Sequence, residues 1–243
     1  MINIMDLSYS ELIVKQKRRK IYRLAKAYEK DNGFSNFLIE YILILYDNEF
    51  LEGFLLYNHI NVDCKISNRL KKSAGITKYR IIKQKSNIVK EFKIIIAKEL
   101  FNNFDREKKH MVCGNLPDNS FEAMLYVIEH ELCHIIEFYF FGKSSCKRSR
   151  FKKISYNIFK HISSVHNIPS IYSKNAGEIG IDIGSKISFV DNGIEKKGKI
   201  INVGPKVTVI VESKYGKWIS NDKKRYDKQK ILFSDIKGVI NNG

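Results

Sequence analysis

Acidic residues are in short supply. Asp and Glu number 26 against 43 Lys and Arg in 243 residues, which leaves a formal net charge of +17 and a pI near 9.6. Such a balance says little about fold, but it favours polyanionic partners, nucleic acid ahead of anionic membrane. A coding bias toward Lys, Ile and Asn would raise the sum by itself, so the position of the charge carries more than its total. Cysteine is also sparse: Cys64, Cys113, Cys133 and Cys146 are widely spaced and form no CxxC pair. That argues against a disulfide framework or a zinc ribbon and suits a reducing compartment. Long apolar runs are missing as well. Phe37-Leu38-Ile39 and Tyr41-Ile42-Leu43-Ile44-Leu45-Tyr46 are interrupted by Glu40 and Asp47, and neither reaches the ~18 residues that span a bilayer. Met1 to Lys20 has no apolar centre and ends in Lys17-Arg18-Arg19-Lys20, unlike a secretory signal. The expectation is a cytoplasmic, soluble protein with no membrane partner.

What is present centres on Glu129-His130-Glu131-Leu132-Cys133-His134. Asn119 followed by Glu122 reads as a capping box, and Gly142 is a natural C-terminal stop. The helix between them runs about 22 residues, or ~33 Å at 1.5 Å per residue. His130 and His134, four apart, project from one face and can hold one metal ion. Glu131 is placed to take a proton from water activated by that metal, the HExxH arrangement of zinc metallopeptidases. A helix carrying these residues by accident is the plainer alternative. Yet Leu125, Ile128, Leu132, Ile135, Ile136 and Tyr139 already supply an apolar face, and an unpaired buried carboxylate costs several kcal/mol.

Around that helix, residues 6–30 read as a basic amphipathic helix: Lys15 to Lys30 holds eight Lys or Arg against Glu29 alone. Residues 34–50 read as a second helix with a 3.6-residue apolar period and a local acidic character. Strand-like segments follow at 61–67, 79–83 and 92–97. Arg69 to Lys98 carries ten Lys or Arg against Glu91 only, interleaved with Tyr79 and Phe92. That pattern fits a nucleic-acid face or a solvent-facing sheet. Leu100-Phe101 and Phe104 suggest a short helical turn. Beyond residue 185 the character changes to short strands at 186–190, 198–203, 207–211, 217–219 and 231–233, with turn residues Asp191-Asn192-Gly193, Gly204-Pro205 and Tyr215-Gly216. Five such strands in about 55 residues suggest a small barrel.

The order of Tyr46-Asp47, Phe50-Leu51-Glu52-Gly53, Ser67-Asn68-Arg69, Ser73-Ala74-Gly75 and His130-Glu131-Leu132-Cys133-His134 resembles the SprT-like metallopeptidases, the family that includes the protease of DNA–protein crosslinks. The resemblance covers roughly residues 35–170. It implies an α+β fold: a zincin-like metallopeptidase domain with a small mixed sheet, followed by a small all-β SH3-like barrel of the kind found behind some such domains. The organisation expected is a basic N-terminal helix at 1–30, the metallopeptidase domain at 31–170, a linker at 171–185 and the barrel at 186–237. In the family a third zinc ligand, a histidine, stands four residues before a phenylalanine. Here that position, before Phe151, is Lys147, which cannot serve; Cys146 lies one residue earlier. Thiolate is a good zinc ligand, and Lys143, Lys147, Arg148 and Arg150 make the surroundings cationic. His161 and His166 are the rival ligands, and the resemblance sets His166 in a strand away from the metal.

The resulting expectation is a Zn2+-dependent endopeptidase, with His130, His134 and Cys146 as metal ligands and Glu131 as catalytic base. Its partners would be protein substrates and DNA bound without sequence preference. Lys143 to Lys160 has seven Lys or Arg and no acid beside the proposed site. Lys186 to Lys237 adds thirteen against six acids, with Tyr215, Trp218 and Tyr226 to stack bases. A nucleic-acid-binding protein with a structural or weakened metal site is the alternative, favoured by the missing histidine and opposed by the intact Glu131.

Overall fold

The computed structural model describes residues 4–71, 73–84, 87–102, 104, 110–166, 168, 171–219 and 224–240. Of the basic residues counted above, Lys72, Lys85 and Lys223 lie outside these. The chain divides into two compact units, Met1–Ile168 and Pro169–Gly243, each built on its own sheet and core. The class is mixed α and β, and no helix among the described residues is long and apolar enough to cross a membrane.

In the first unit a 3-10 turn, Ile4–Asp6, precedes helix α1, Glu11–Asn32, whose first turn is capped by the Ser10 hydroxyl accepting from the Ile13 amide. The basic N-terminal helix is therefore part of the first unit, with Val14, Ile21 and Ala25 in its core. Helix α2, Asn36–Phe50, is capped by Ser35. Gly53 then takes a left-handed φ of 75°, and Asp47 accepts from the Leu55 and Leu56 amides to start the short α3, Phe54–Tyr57. Strands β1 (Val62–Ser67), β2 (Gly75–Gln84) and β3 (Asn87–Ala97) form one sheet in the order β1-β3-β2, with β1 parallel and β2 antiparallel to β3. A short α4, Lys98–Asn102, leads by way of a loop to α5, Ser120–Phe141. At its start Asn119 accepts from the Glu122 amide, the forward half of the expected capping box, while the Glu122 carboxylate accepts from the Asp118 amide instead of that of Asn119. At its end Gly142 closes the helix at φ 64°, as the sequence predicts. Helix α6 spans Ser149–Phe159.

The aromatics of the basic strands are structural. Tyr79 stacks on Phe138 of α5 at 4.4 Å between ring centroids, and Phe92 is buried. Neither ring is presented to stack on a base.

In the second unit α7, Ile171–Glu178, occupies half of the expected linker; Ala176 and Ile181 are buried in this unit's core, which orders the segment. Strands β4 (Lys186–Asp191), β5 (Ile194–Val203), β6 (Val207–Glu212), β7 (Trp218–Ile219), β8 (Arg225–Ile231) and β9 (Ile236–Val239) form an antiparallel sheet in the order β7-β8-β6-β5-β4-β9. The β4–β5 hairpin turns at Asn192 (φ 51°) and Gly193 (φ 79°), two positive φ values that match strand twist. The strand expected at 231–233 differs. It lies earlier, at 225–231, and Phe233–Asp235 is a 3-10 turn in which Asp235 accepts from the Leu232 amide. Strand β8 escapes a hydrophobicity reading because most of it is charged or polar, ending on the buried Ile231.

Candidate metal centre

Helix α5 is buried along nearly its whole length, so its polar residues must be satisfied by the surrounding elements. The Nε2 atoms of His130 and His134 stand 3.1 Å apart. The Cys146 Sγ joins them, and the three donor atoms lie within 4.8 Å of one another. Two nitrogens about 2.0–2.1 Å from one zinc at a tetrahedral angle stand ~3.3 Å apart, so the side chains need little movement to share an ion. The donor set of two imidazoles and a thiolate is one that zinc prefers. Phe151 packs against both histidine rings, at 4.8 Å and 4.5 Å between centroids.

The hydrogen bonds behind His134 set its tautomer. The Ser144 hydroxyl donates its single proton to Glu137 Oε2 at 2.6 Å, so toward His134 Nδ1, also at 2.6 Å, it acts as acceptor. Nδ1 therefore carries the proton and Nε2 keeps its lone pair for a metal. Glu137 is itself held by the Ser145 amide and by Arg150 Nε. Replacing Ser144 by Ala should weaken metal affinity about 10–100-fold with the fold intact, as read by metal binding alongside circular dichroism. Unchanged affinity would remove Ser144 from the centre. Burial keeps the imidazoles neutral: it lowers His130 to about 2, with help from neighbouring histidines, and His134 to about 4.

Glu131 is positioned by β2. Thr77 Oγ1 donates to Glu131 Oε2 at 2.6 Å and also approaches the Glu131 carbonyl at 3.1 Å. A Cβ on residue 75 would stand 2.8 Å from Glu131 Oε1 and 2.7 Å from Val127 Cγ1, so Gly75 is required for this helix and strand to meet. Burial raises the Glu131 carboxyl to about 7, against the Thr77 hydrogen bonds that lower it. A carboxylate tuned near neutrality suits proton transfer in both directions.

Neither rival histidine joins the donors of His134 and Cys146. His161 is fully enclosed and places Nε2 2.7 Å from Glu129 Oε2. Arg18 meets the same carboxylate with two nitrogens, at 2.7 and 2.6 Å, and the Tyr46 hydroxyl donates to it at 2.8 Å. Burial alone would raise Glu129, but Arg18 and His161 hold it below the usual carboxylate range. His166 pairs by backbone with Val112, and its Nδ1 lies 3.5 Å from Cys113 Sγ, which is in turn 3.9 Å from His130 Nδ1. The resemblance would set His166 apart; its ring instead packs against His130, 4.5 Å between centroids.

Sequence reasoning left Thr77, Ser144, Glu137 and Cys113 without roles. Gly75 stood in a stretch that carried the resemblance; nothing in the sequence marked Cys113. Among known proteins, no family model, no curated protein and no solved structure matches the chain.

Proposed function

We propose that the first unit is a zinc-dependent endopeptidase of the SprT-like type with a zincin-like fold. In this reading it works in the cytoplasm on DNA-bound or DNA-crosslinked proteins, and the second unit is an SH3-like barrel that holds DNA without sequence preference. The observation that carries the reading is the convergence of His130, His134 and Cys146 donor atoms within 4.8 Å, beside a buried Glu131 that pairs with no cation among the described residues and that Thr77 orients.

Bound by these three side chains, zinc would polarise the scissile carbonyl and acidify water. Glu131 accepts one proton of the attacking water as the C–O bond forms and delivers it to the amine nitrogen as the C–N bond then breaks, while the second water proton stays with the new carboxyl group. The Thr77 hydroxyl occupies Oε2 and fixes the carboxylate plane. His134 is held by Ser144 and Glu137 on its far side, which keeps Nε2 facing the centre.

The nucleic-acid arm rests on charge placed beside the centre and on the second sheet. Lys143, Lys147 and Arg148 are exposed next to Cys146. In the second unit Lys186, Lys199 and Lys228 are exposed and line up across the strands through Ile210, so all share one face. Lys228 also lies over the Trp218 ring, and Tyr215 is 83% exposed. These residues can neutralise phosphates and stack bases, and none forms a helix suited to reading a groove.

The test is cleavage of one protein presented free and bound to DNA by the zinc-loaded chain. Cleavage should be faster on DNA, should stop on chelation, and should lose its DNA advantage as salt rises. Log K for DNA should fall by about 0.7–0.9 per phosphate contact for each tenfold rise in salt. Substituting Lys199→Glu and Lys228→Glu together should reduce that slope by ~1–2. Equal cleavage of free and DNA-bound substrate at low salt would show the charge to be compositional.

A further inference from the structure

His130 has a second nitrogen to account for. A metal-bound histidine ordinarily turns its other nitrogen toward a carboxylate, carbonyl or water, but His130 Nδ1 faces the Cys113 thiol at 3.9 Å. Cys113 also lies 3.5 Å from His166 Nδ1, and the three donor atoms fall within 4.8 Å of one another. A sulfur about 2.3 Å and a nitrogen about 2.0 Å from one ion, at tetrahedral to trigonal angles, stand ~3.5–3.8 Å apart. The Cys113–His166 distance of 3.5 Å falls in that range, and the Cys113–His130 distance of 3.9 Å lies just beyond it.

The backbone is arranged to hold these donors. Cys113 is fully buried and takes a left-handed φ of 53°, a conformation that costs a non-glycine residue about 1–3 kcal/mol and persists only where its surroundings enforce it. They do so from both sides. The Cys113 amide donates to the Val165 carbonyl and its carbonyl accepts from the Ser163 amide. Val112 pairs with both Asn115 and His166. At Gly114 (φ 80°) a Cβ would lie 2.2 Å from Ile162 Cγ1. The turn at 112–115, the segment at 163–166 and α5 are thus held together, with one sulfur and two imidazole nitrogens brought within 4.8 Å of one another.

We propose that Cys113 Sγ, His130 Nδ1 and His166 Nδ1 form a second metal site for a thiophilic ion such as Zn2+ or Co2+, sharing His130 with the HExxH centre. The donors are too soft for Ca2+ or Mg2+. Filling the site releases the Cys113 thiol proton and, when the HExxH centre is already loaded, the His130 Nδ1 proton as well. With both sites loaded, His130 is an imidazolate bridging two ions, and the two negative charges formed offset the second dication. The site does not require the HExxH centre to be catalytic, or even loaded.

The test counts Co2+ per chain in the full-length protein, stripped of metal and reloaded under reducing conditions, with circular dichroism as the check on folding. The parent should hold two ions. The double variant His134→Ala/Cys146→Ser, which removes two of three donors from the HExxH centre, should still hold one, with thiolate-to-cobalt absorption from Cys113. Adding His166→Ala should remove it. A folded double variant that binds no Co2+ overturns the second site and leaves the HExxH reading standing. Should the double variant fail to fold, Cys113→Ser and His166→Ala in the otherwise native chain decide the matter. Loss of one of two ions in each supports the site, and unchanged content in both overturns it. A folded His166→Ala chain without any ion would instead count against the HExxH centre.

Discussion

Glu131→Gln should keep its metal and lose cleavage by about 10²–10⁴-fold. The amide is nearly isosteric, and it can still accept from the Thr77 hydroxyl through its carbonyl oxygen, so the packing of α5 on β2 should survive. What it cannot do is take up a proton. The carboxylate is buried and, among the described residues, pairs with no Lys or Arg, so no ion pair among them is lost in a way that could mimic the effect. Metal content and cleavage rate measured on the same preparation separate the cases. A variant as active as the parent would sink the peptidase reading in favour of a nucleic-acid-binding protein with a structural metal. A variant that loses its metal would make Glu131 a ligand instead of a base.

Arg18→Ala should destabilise the first unit by about 3–5 kcal/mol, the cost of stranding a buried charge. Glu129 is completely enclosed and carries its charge on the strength of Arg18, which forks onto both carboxylate oxygens and reaches the Phe159 carbonyl at 2.5 Å. Without it Tyr46 and His161 are its remaining partners among the described residues, and burial keeps His161 from charging readily. In a unit of this size the midpoint of thermal unfolding should fall by roughly 10 °C. Lys20→Ala, on the same helix, is the control. Its 2.5 Å pair with Glu49 is half exposed on the lysine side, and its removal should cost under ~1 kcal/mol. Equal effects of the two substitutions would mean that α1 is not fastened to α5 through Glu129.

Those two basic residues show where sequence reading runs out. In the run Lys17-Arg18-Arg19-Lys20 nothing sets Arg18 apart, because its partner lies 111 residues away. A local pattern reports the face of a helix, not which member of a charged stripe turns inward. The same holds for Cys113, whose role depends on the pairing of Val112 with His166 and on a left-handed backbone that no residue type announces. Helix α5 was legible to both ends since its signals are local: Asn119 and Glu122 at the start, Gly142 at the stop, and histidines four apart between them. Cys146 came into view only through the resemblance, one residue before the place of the family's histidine, and its thiol lies within 4.8 Å of a ring nitrogen of each of His130 and His134. Tyr46 and Asp47, which helped carry the resemblance, serve the scaffold: one donates to Glu129, the other caps α3.

The most direct measurement is zinc-edge X-ray absorption on the His166→Ala chain, which isolates the HExxH centre. The account predicts one sulfur near ~2.3 Å and two nitrogens near ~2.0 Å, with the sulfur lost when Cys146→Ser is added. A zinc shell of nitrogen and oxygen alone before that second substitution, or a folded chain that retains no zinc, would contradict it.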